Sequence, residues 1–155
     1  MQVKDIMTRN PQSCRVDSNL AEAAELLWEN NCGALPVLDE QGKPIGMVTD
    51  RDICIAIGTR NQRPSDVAVG DVAVWRLFSC TPEHDVHAAL ATMKAEKVRR
   101  LAVLQDGALE GILSLNDIAL HATKRQGDLS YADVAETLKT ICEHTAPEAL
   151  IVAAA

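Results

Sequence analysis

The hydrophobic and polar positions of the chain alternate between two patterns, one typical of helices and one typical of strands. One set of apolar residues has the i, i+3, i+4, i+7, i+8 spacing of an amphipathic helix and follows the cap-competent residues 17–19: Leu20, Ala23, Ala24, Leu27 and Trp28. Residues 34–49 then form an apolar run, a polar turn that contains glycine and a second apolar run, which predicts a β-hairpin. A further helix is predicted from residue 50.

The same succession of elements returns later in the chain. An offset of 66 carries the segment VKDI at residue 3 onto VGDV at residue 69, and Leu35 onto Leu101. After a one-residue deletion in the hairpin turn, an offset of 65 carries GMVTDRDI (46–53) onto GILSLNDI (111–118). The chain is therefore a tandem repeat, and this repeat decides the architecture.

A repeat of about 60 residues buries too little surface to be stable alone, so two such units are expected to pair through their sheets around a pseudo-two-fold axis. The predicted fold class is α+β (α/β in the broad sense). The predicted divisions are a first repeat (1–60), a linker (61–68), a second repeat (69–125) and a C-terminal helical tail (126–155). The tail begins with the capping signal SYAD, and its predicted apolar face comprises Val134, Leu138, Ile141 and Cys142.

Composition narrows the classes of function. Apolar residues make up 47% of the 155-residue chain, which suffices for a globular interior, whereas aromatic residues make up 3%. With a net charge of -7 and few aromatic side chains, the chain is not expected to bind nucleic acid. No apolar run approaches the length of a membrane span and the N-terminus lacks a signal-peptide pattern, so we expect a cytoplasmic protein without a membrane partner.

Cysteine and histidine give weaker signals. The five cysteines are scattered and odd in number, which favours reduced thiols over a disulfide framework: Cys14, Cys32, Cys54, Cys80 and Cys142. His84 and His87 share one helix face, but two histidines without a third ligand do not define a metal site, while His121 and His144 lie far away in sequence. We therefore predict no metal site.

The repeated motif G-x-x-[ST]-x-x-D has two interpretations. Thr49 with Asp52, and Ser114 with Asp117, each match a capping box at the start of a helix. Alternatively, a ligand enters where the strand gives way to the helix, and the aspartate accepts hydrogen bonds from the hydroxyls of a ribose while nearby groups hold phosphate. The glycine three residues before the Thr or Ser would allow a close approach to the backbone.

Taken together, the segments VKDIMTRNP, GALPVLDEQGKPIGMVTDRDI and EGILSLNDI resemble tandem cystathionine-β-synthase-type (CBS) domains, the paired regulatory unit also called a Bateman module. The resemblance covers about residues 3–123. It implies two β-α-β-β-α units packed through their sheets, with two clefts for adenosine-containing ligands such as AMP, ADP, ATP, NAD or S-adenosylmethionine. It also implies that each cleft borrows a segment from the other unit, and that such pairs form homodimers.

Carried onto this chain, the resemblance assigns residues to both clefts. The preferred cleft draws on the MTRNPQ and NCG segments of the first repeat, and its residues are Met7, Thr8, Cys32, Gly33, Arg99, Arg100, Ile112, Ser114, Asn116 and Asp117. The second cleft comprises Ala34, Met47, Thr49, Arg51 and Asp52, with Gly33 nearby.

Differences between the two repeats indicate which of the two clefts is better suited to a ligand. Where the first repeat has MTRNP, the second has AVWRLF, so Trp75 or Phe78 is expected to narrow the cleft of Asp52. The adjacent arginines before the strand of the second repeat favour phosphate in the cleft of Asp117. Asp50 has Leu115 as its counterpart and is therefore left out of the predicted site.

No motif for nucleophilic, metal-dependent or phosphoryl-transfer catalysis is present in the sequence, so no enzymatic activity is expected. The leading hypothesis is a regulatory sensor of adenine nucleotides that acts on an unknown target, in trans or through a dimer. The first alternative is an adaptor whose clefts stay empty and whose motifs serve only as caps. A weaker alternative is a redox-responsive or metal-responsive protein that uses Cys32 or the histidines.

Overall fold

The computed structural model describes residues 1–124 and 129–143. Its strands are β1 (Thr8–Arg9), β2 (Cys14–Arg15), β3 (Ala34–Leu38), β4 (Pro44–Thr49), β5 (Ser79–Cys80), β6 (Arg100–Gln105) and β7 (Ala108–Ser114). Its α-helices are α1 (Leu20–Glu29), α2 (Asp50–Arg60), α3 (Val86–Glu96), α4 (Leu115–His121) and α5 (Tyr131–Cys142). The predicted α+β class, with one hairpin and two helices in each repeat, is confirmed.

The two sheets have the same plan. In the first, β2 runs parallel to β3 and β3 pairs antiparallel with β4. In the second, β5 runs parallel to β6, β6 pairs antiparallel with β7, and β1 from the N-terminus adds a fourth strand beside β7. An antiparallel bridge between Met47 of β4 and Val74 is the counterpart of the β1–β7 pairing. Each sheet is thus extended by a segment of the other repeat.

The hydrophobic cores show the same exchange. The first core surrounds Leu20, Leu35 and Ile53 of the first repeat, but also contains Val67 and Val69. The second core comprises residues of the second repeat together with three residues from the N-terminus: Val3, Ile6 and Met7. The predicted boundaries divide the sequence but do not separate the hydrophobic cores. Both cores contain residues of both repeats, and Val67, inside the predicted linker, is buried.

Three predicted apolar positions are wrong: Trp28, Leu138 and Cys142, the last of which is exposed at the end of α5. Trp28 is 86% exposed, because α1 buries the positions 20, 23 and 27 and turns the side chain of Trp28 outward. Leu138 of α5 is 42% exposed, whereas Thr137 is fully buried and donates a hydrogen bond from Oγ1 to the carbonyl of Asp133. Helix α5 packs against α3 and α4. Its buried side therefore passes through positions 134, 137 and 141.

No helix in the described part of the chain is long and apolar enough to cross a membrane.

Candidate ligand-binding cleft

Both copies of the repeated motif form capping boxes. Thr49 Oγ1 accepts a hydrogen bond from the backbone N–H of Asp52 at 3.2 Å, and Asp52 Oδ2 accepts one from the backbone N–H of Thr49 at 3.0 Å. Ser114 and Asp117 form the same two bonds at 3.2 and 2.8 Å. The capping interpretation is therefore confirmed at the start of α2 and of α4.

A third capping box shows what this geometry does not decide. At the start of α5, Ser130 and Asp133 make the same pair of bonds at 3.2 and 2.9 Å, although α5 lies outside the repeats. A capping box alone therefore does not mark a ligand site. In all three boxes the cap uses Oδ2 of the aspartate. Oδ1 of Asp117 accepts no hydrogen bond from the described residues and is therefore available to a ligand.

The two glycines of the repeated motif allow the backbone of the other repeat to lie close to the strand. A Cβ atom on Gly111 would lie 2.9 Å from the carbonyl oxygen of Thr8, and one on Gly46 would lie 2.7 Å from the carbonyl oxygen of Val74. Both contacts occur where the segment of one repeat crosses a strand of the other. We interpret the close approach as a requirement of strand pairing between the repeats.

A cleft of about 410 Å³ lies between the two repeats, at the end of β7 and the start of α4. Its lining includes eight of the residues predicted for the preferred cleft: Thr8, Cys32, Gly33, Arg100, Ile112, Ser114, Asn116 and Asp117. The structure thus brings Asp117 and Arg100 of the second repeat together with two segments of the first. Arg100 is the one cationic side chain among the lining residues that the structure describes.

Two residues predicted for this cleft lie elsewhere. Met7 is 8% exposed and packs in the second core, where its Sδ atom lies beside Gly111. Arg99 extends toward α5, and its Nη2 atom donates to Cys142 Sγ at 3.6 Å. Of the two arginines, Arg100, the first residue of β6, therefore lines the cleft, and Arg99, which precedes the strand, does not.

The predicted segments MTRNPQ and NCG supply four further lining residues of this cleft, namely Asn10, Pro11, Gln12 and Asn31, whereas Asn30 was not predicted. Asn10 and Asn31 have left-handed backbone conformations, with φ of 46° and 47°. Asparagine is favoured in such conformations, so the paired asparagines after α1 were a detectable sign of a helix end that turns toward the cleft.

The residues predicted for the second cleft are more dispersed. Met47 forms a bridge with Val74, with N–H to carbonyl distances of 3.1 and 2.9 Å. Ala34 lines the cleft of Asp117 instead, and Arg51 is exposed. Trp75 lies over Gly46, at 3.4 Å from a Cβ placed there, in the region where the sequence predicted narrowing.

Phe78, the other residue expected to narrow the second cleft, packs against the second core. Its ring stacks under the guanidinium of Arg76, which lies 4.6 Å from the ring centroid.

A second cavity of about 470 Å³ lies beside the cleft, over the helices of the first repeat. It shares Asn31, Cys32 and Gly33 with the cleft. Its other lining residues are Ala24, Leu27, Trp28, Asp50, Ile53 and Cys54. The segment 31–33 is therefore a common wall, with the cleft on one side and the apolar cavity on the other.

The thiols differ in their environment. Cys14 and Cys80 occupy equivalent positions in the two repeats, and burial raises the pKa of each to about 11. Cys54 and Cys142 are exposed, and Cys32 is partly buried in the wall of the cleft.

The three histidines that the structure describes, His84, His87 and His121, lie apart from the cleft lining. His87 Nδ1 is 3.1 Å from Asp85, and His121 Nδ1 is 2.8 Å from the carbonyl of Asp117. Within residues 1–124 and 129–143, no group of three or more His, Cys, Asp or Glu side chains is placed to hold a metal ion, and His144 lies outside these residues.

The CBS-domain family profile matches residues 3–59 and 69–123 of the chain. This match covers more than half of the sequence and follows both repeats. The chain belongs to the CBS-domain family, in which it carries a tandem pair.

Similar proteins agree with this assignment. The uncharacterized protein YlbB of Bacillus subtilis is 32% identical over 136 residues, which cover 86% of this chain and 91% of YlbB. The crystal structure of Hypoxic Response Protein I, with two coordinated zinc ions, has a TM-score of 0.71 and 28% identity, covering 79% of this chain and all of that one. The CBS domain pair of MJ0100, crystallised with 5-methylthioadenosine and S-adenosylmethionine, has a TM-score of 0.68 and 25% identity, covering 77% of this chain and 98% of that one.

Proposed function

We propose that this protein is a non-enzymatic, cytoplasmic CBS pair that binds an adenosine-containing ligand in the cleft of Asp117 and regulates a partner protein. The observation that carries the proposal is the composition of this cleft. It combines a carboxylate with a free oxygen, one arginine and several polar side chains, drawn from both repeats. The methylthioadenosine and S-adenosylmethionine bound by the MJ0100 pair support this class of ligand.

Each lining residue has a proposed role. Asp117 Oδ1 accepts hydrogen bonds from the ribose hydroxyls, because Oδ2 is engaged in the helix cap. Arg100 binds the 5′ substituent of the ribose when that group is anionic, since guanidinium recognises phosphate with charge-assisted hydrogen bonds. Ile112 offers an apolar surface to the adenine, and Thr8, Cys32, Gly33, Ser114 and Asn116 complete the enclosure.

Regulation follows from the shared cleft. Because its residues come from both repeats, a ligand that prefers one relative arrangement of the repeats shifts the population toward that arrangement. The partner protein would respond to this change in the populations of the two arrangements.

The test is a thermal-shift and calorimetric panel of adenosine, AMP, ADP, ATP, NAD and S-adenosylmethionine. We expect at least one ligand to raise the melting temperature with concentration, because it binds the native state. Asp117→Ala should abolish most of this rise while its lost cap costs about 1 kcal/mol. A protein that binds none of these ligands at millimolar concentration would instead fit the adaptor hypothesis.

Two matched controls separate binding from capping. Asp133→Ala removes the same capping box outside both clefts and should leave ligand binding unchanged. Asp52→Ala removes the box of the second cleft. Loss of binding in Asp52→Ala with retention in Asp117→Ala would transfer the proposed site to the second cleft.

Alkylation of cysteine gives an independent readout of position. Cys32 lines the cleft, whereas Cys54 lines the neighbouring cavity alone. We expect a bound ligand to slow the alkylation of Cys32 more than that of Cys54, measured by mass spectrometry. Equal protection of both thiols would contradict a ligand in this cleft.

We also propose a homodimer formed through the outer face of α1 and α2. Trp28 of α1 and Ile55 of α2 are 86% and 50% exposed, so both helices leave a large apolar side chain in water. The helices of the second repeat, by contrast, pack against α5. Trp28→Glu should yield a monomer in analytical ultracentrifugation, with Leu120→Glu as the charge control, because Leu120 is an apolar side chain of α4 that is 82% exposed.

A further inference from the structure

The charge balance of the cleft and its surroundings restricts the ligand. Arg100 is the one cationic side chain among the described lining residues, and Asp117 supplies a negative charge on the ribose side. The other polar side chains around them can form hydrogen bonds but carry no positive charge to balance the negative charge of further phosphates: Asn10, Gln12, Asn30, Asn31 and Asn116.

Asp50 adds a second negative charge next to Arg100. A Cβ atom on Gly33 would lie 3.0 Å from Arg100 Nη2 and 3.4 Å from Asp50 Oδ2. The guanidinium and the carboxylate therefore approach the same point of the wall, one from each repeat. The other oxygen of Asp50 accepts a hydrogen bond from the backbone N–H of Arg51 at 2.7 Å, which fixes the carboxylate at the start of α2.

Asp50 lies close enough to Arg100 to affect a longer phosphate chain bound there. The cleft and the neighbouring cavity meet at residues 31–33, with Arg100 lining the cleft and Asp50 lining the cavity. A first phosphate on Arg100 would remain inside the cleft. A second or third phosphate that continued past Gly33 would meet the carboxylate of Asp50.

We propose that Asp50 is a specificity-determining residue, which makes the cleft select adenosine ligands with no more than one phosphate and disfavour ADP and ATP. The inference rests on the proposed function and deepens it by naming the class of ligand. Asp50 is exposed, so water screens its charge, and at a few ångströms each added phosphate charge then weakens binding by roughly fivefold. Arg100 offsets this repulsion for the first phosphate alone.

The test compares adenosine, AMP and ATP by isothermal titration calorimetry in buffer with EDTA, so that no divalent cation neutralises the phosphates. Wild-type protein should bind AMP at least as tightly as ATP. Asp50→Asn should lower the ratio of the ATP to the AMP dissociation constant by about fivefold or more. The control Asp106→Asn removes the same charge in the turn at the opposite end of the β6–β7 hairpin, where φ is 51° and asparagine is well tolerated.

The outcomes distinguish this inference from the proposed function. Absence of binding by all three ligands, and by NAD and S-adenosylmethionine as well, would overturn both. Binding that prefers ATP tenfold in the wild type, or a ratio that Asp50→Asn leaves unchanged, would overturn the role of Asp50 while leaving the cleft intact. Arg100→Gln should weaken AMP and leave adenosine unchanged. Equal weakening of both would contradict phosphate binding at Arg100.

Discussion

The first and second repeats carry the same capping box, yet the surroundings of the two boxes differ. Beside Ser114 and Asp117, the crossing segment from the other repeat contributes the small polar residue Thr8, and Arg100 reaches into an open cleft. Beside Thr49, the crossing segment contributes Val74 and then the bulky Trp75 over Gly46. The box is the same in both repeats of this chain, whereas the residues around it differ between an open cleft and a site beneath Trp75.

The position directly after the capping hydroxyl gives the sharpest contrast, and the largest expected effect. Leu115 is 6% exposed and packs in the second core, whereas its counterpart Asp50 is exposed. Leu115→Ala should lower the free energy of unfolding by about 2 to 4 kcal/mol, because it opens a cavity in the core. Asp50→Ala should change it by no more than about 0.5 kcal/mol.

Urea denaturation of both variants measures this difference. Similar losses in the two variants would mean that the repeats use this position in the same way, and would remove the structural basis for a special role of Asp50.

The crossing points of the two repeats are expected to respond alike. Gly46→Ala and Gly111→Ala each place a methyl group within 3 Å of a backbone carbonyl oxygen of the other repeat. Because backbone on both sides must shift, we expect a loss of about 1 to 3 kcal/mol from each. Gly58→Ala in α2 is the control: nothing lies within 4 Å of its Cβ position, and alanine favours a helix.

Melting curves of the three glycine variants measure these losses of stability. A melting temperature unchanged by Gly111→Ala would show that β1 does not pair tightly with β7 in solution.

Local patterns in the sequence predicted much of this architecture. Hairpins, helix starts and the three capping boxes formed by Ser or Thr with Asp follow from signals within a few residues, and the repeat itself fixed their order. The exchange of N-terminal segments was not predictable from periodicity, because the burial of Val3 and Val67 depends on contacts with the other repeat.

The candidate site was predictable where each repeat supplies its own motif. Asp117 and Ser114 belong to a local pattern, and the resemblance to CBS pairs added Thr8 and Gly33. Asp50 was left out of the predicted site because its counterpart in the second repeat is Leu115. Its proposed role rests on Arg100, which lies far away in sequence and approaches the same glycine.

The smallest expected effect concerns α5, which covers the helices of the second repeat. Hydrogen bonds from the side chain and backbone of Ser130 lower the pKa of Asp133 from its ordinary value of 3.8. The folded state therefore favours the carboxylate: its contribution to stability is complete above the ordinary pKa and is lost as the pH falls through the lowered value. We expect α5 to loosen below about pH 4, before the sheets do.

Hydrogen exchange of the α5 amides between pH 3 and 6 would measure this loosening, after correction for the intrinsic pH dependence of exchange. Asp133→Asn should remove the pH dependence of α5, because the side chain at position 133 no longer titrates, while Asp106→Asn, in a turn of the second sheet, should keep it. If the wild type and Asp133→Asn lose protection in parallel as the pH falls, the loosening arises elsewhere and the cap of α5 is not the group that responds to acid.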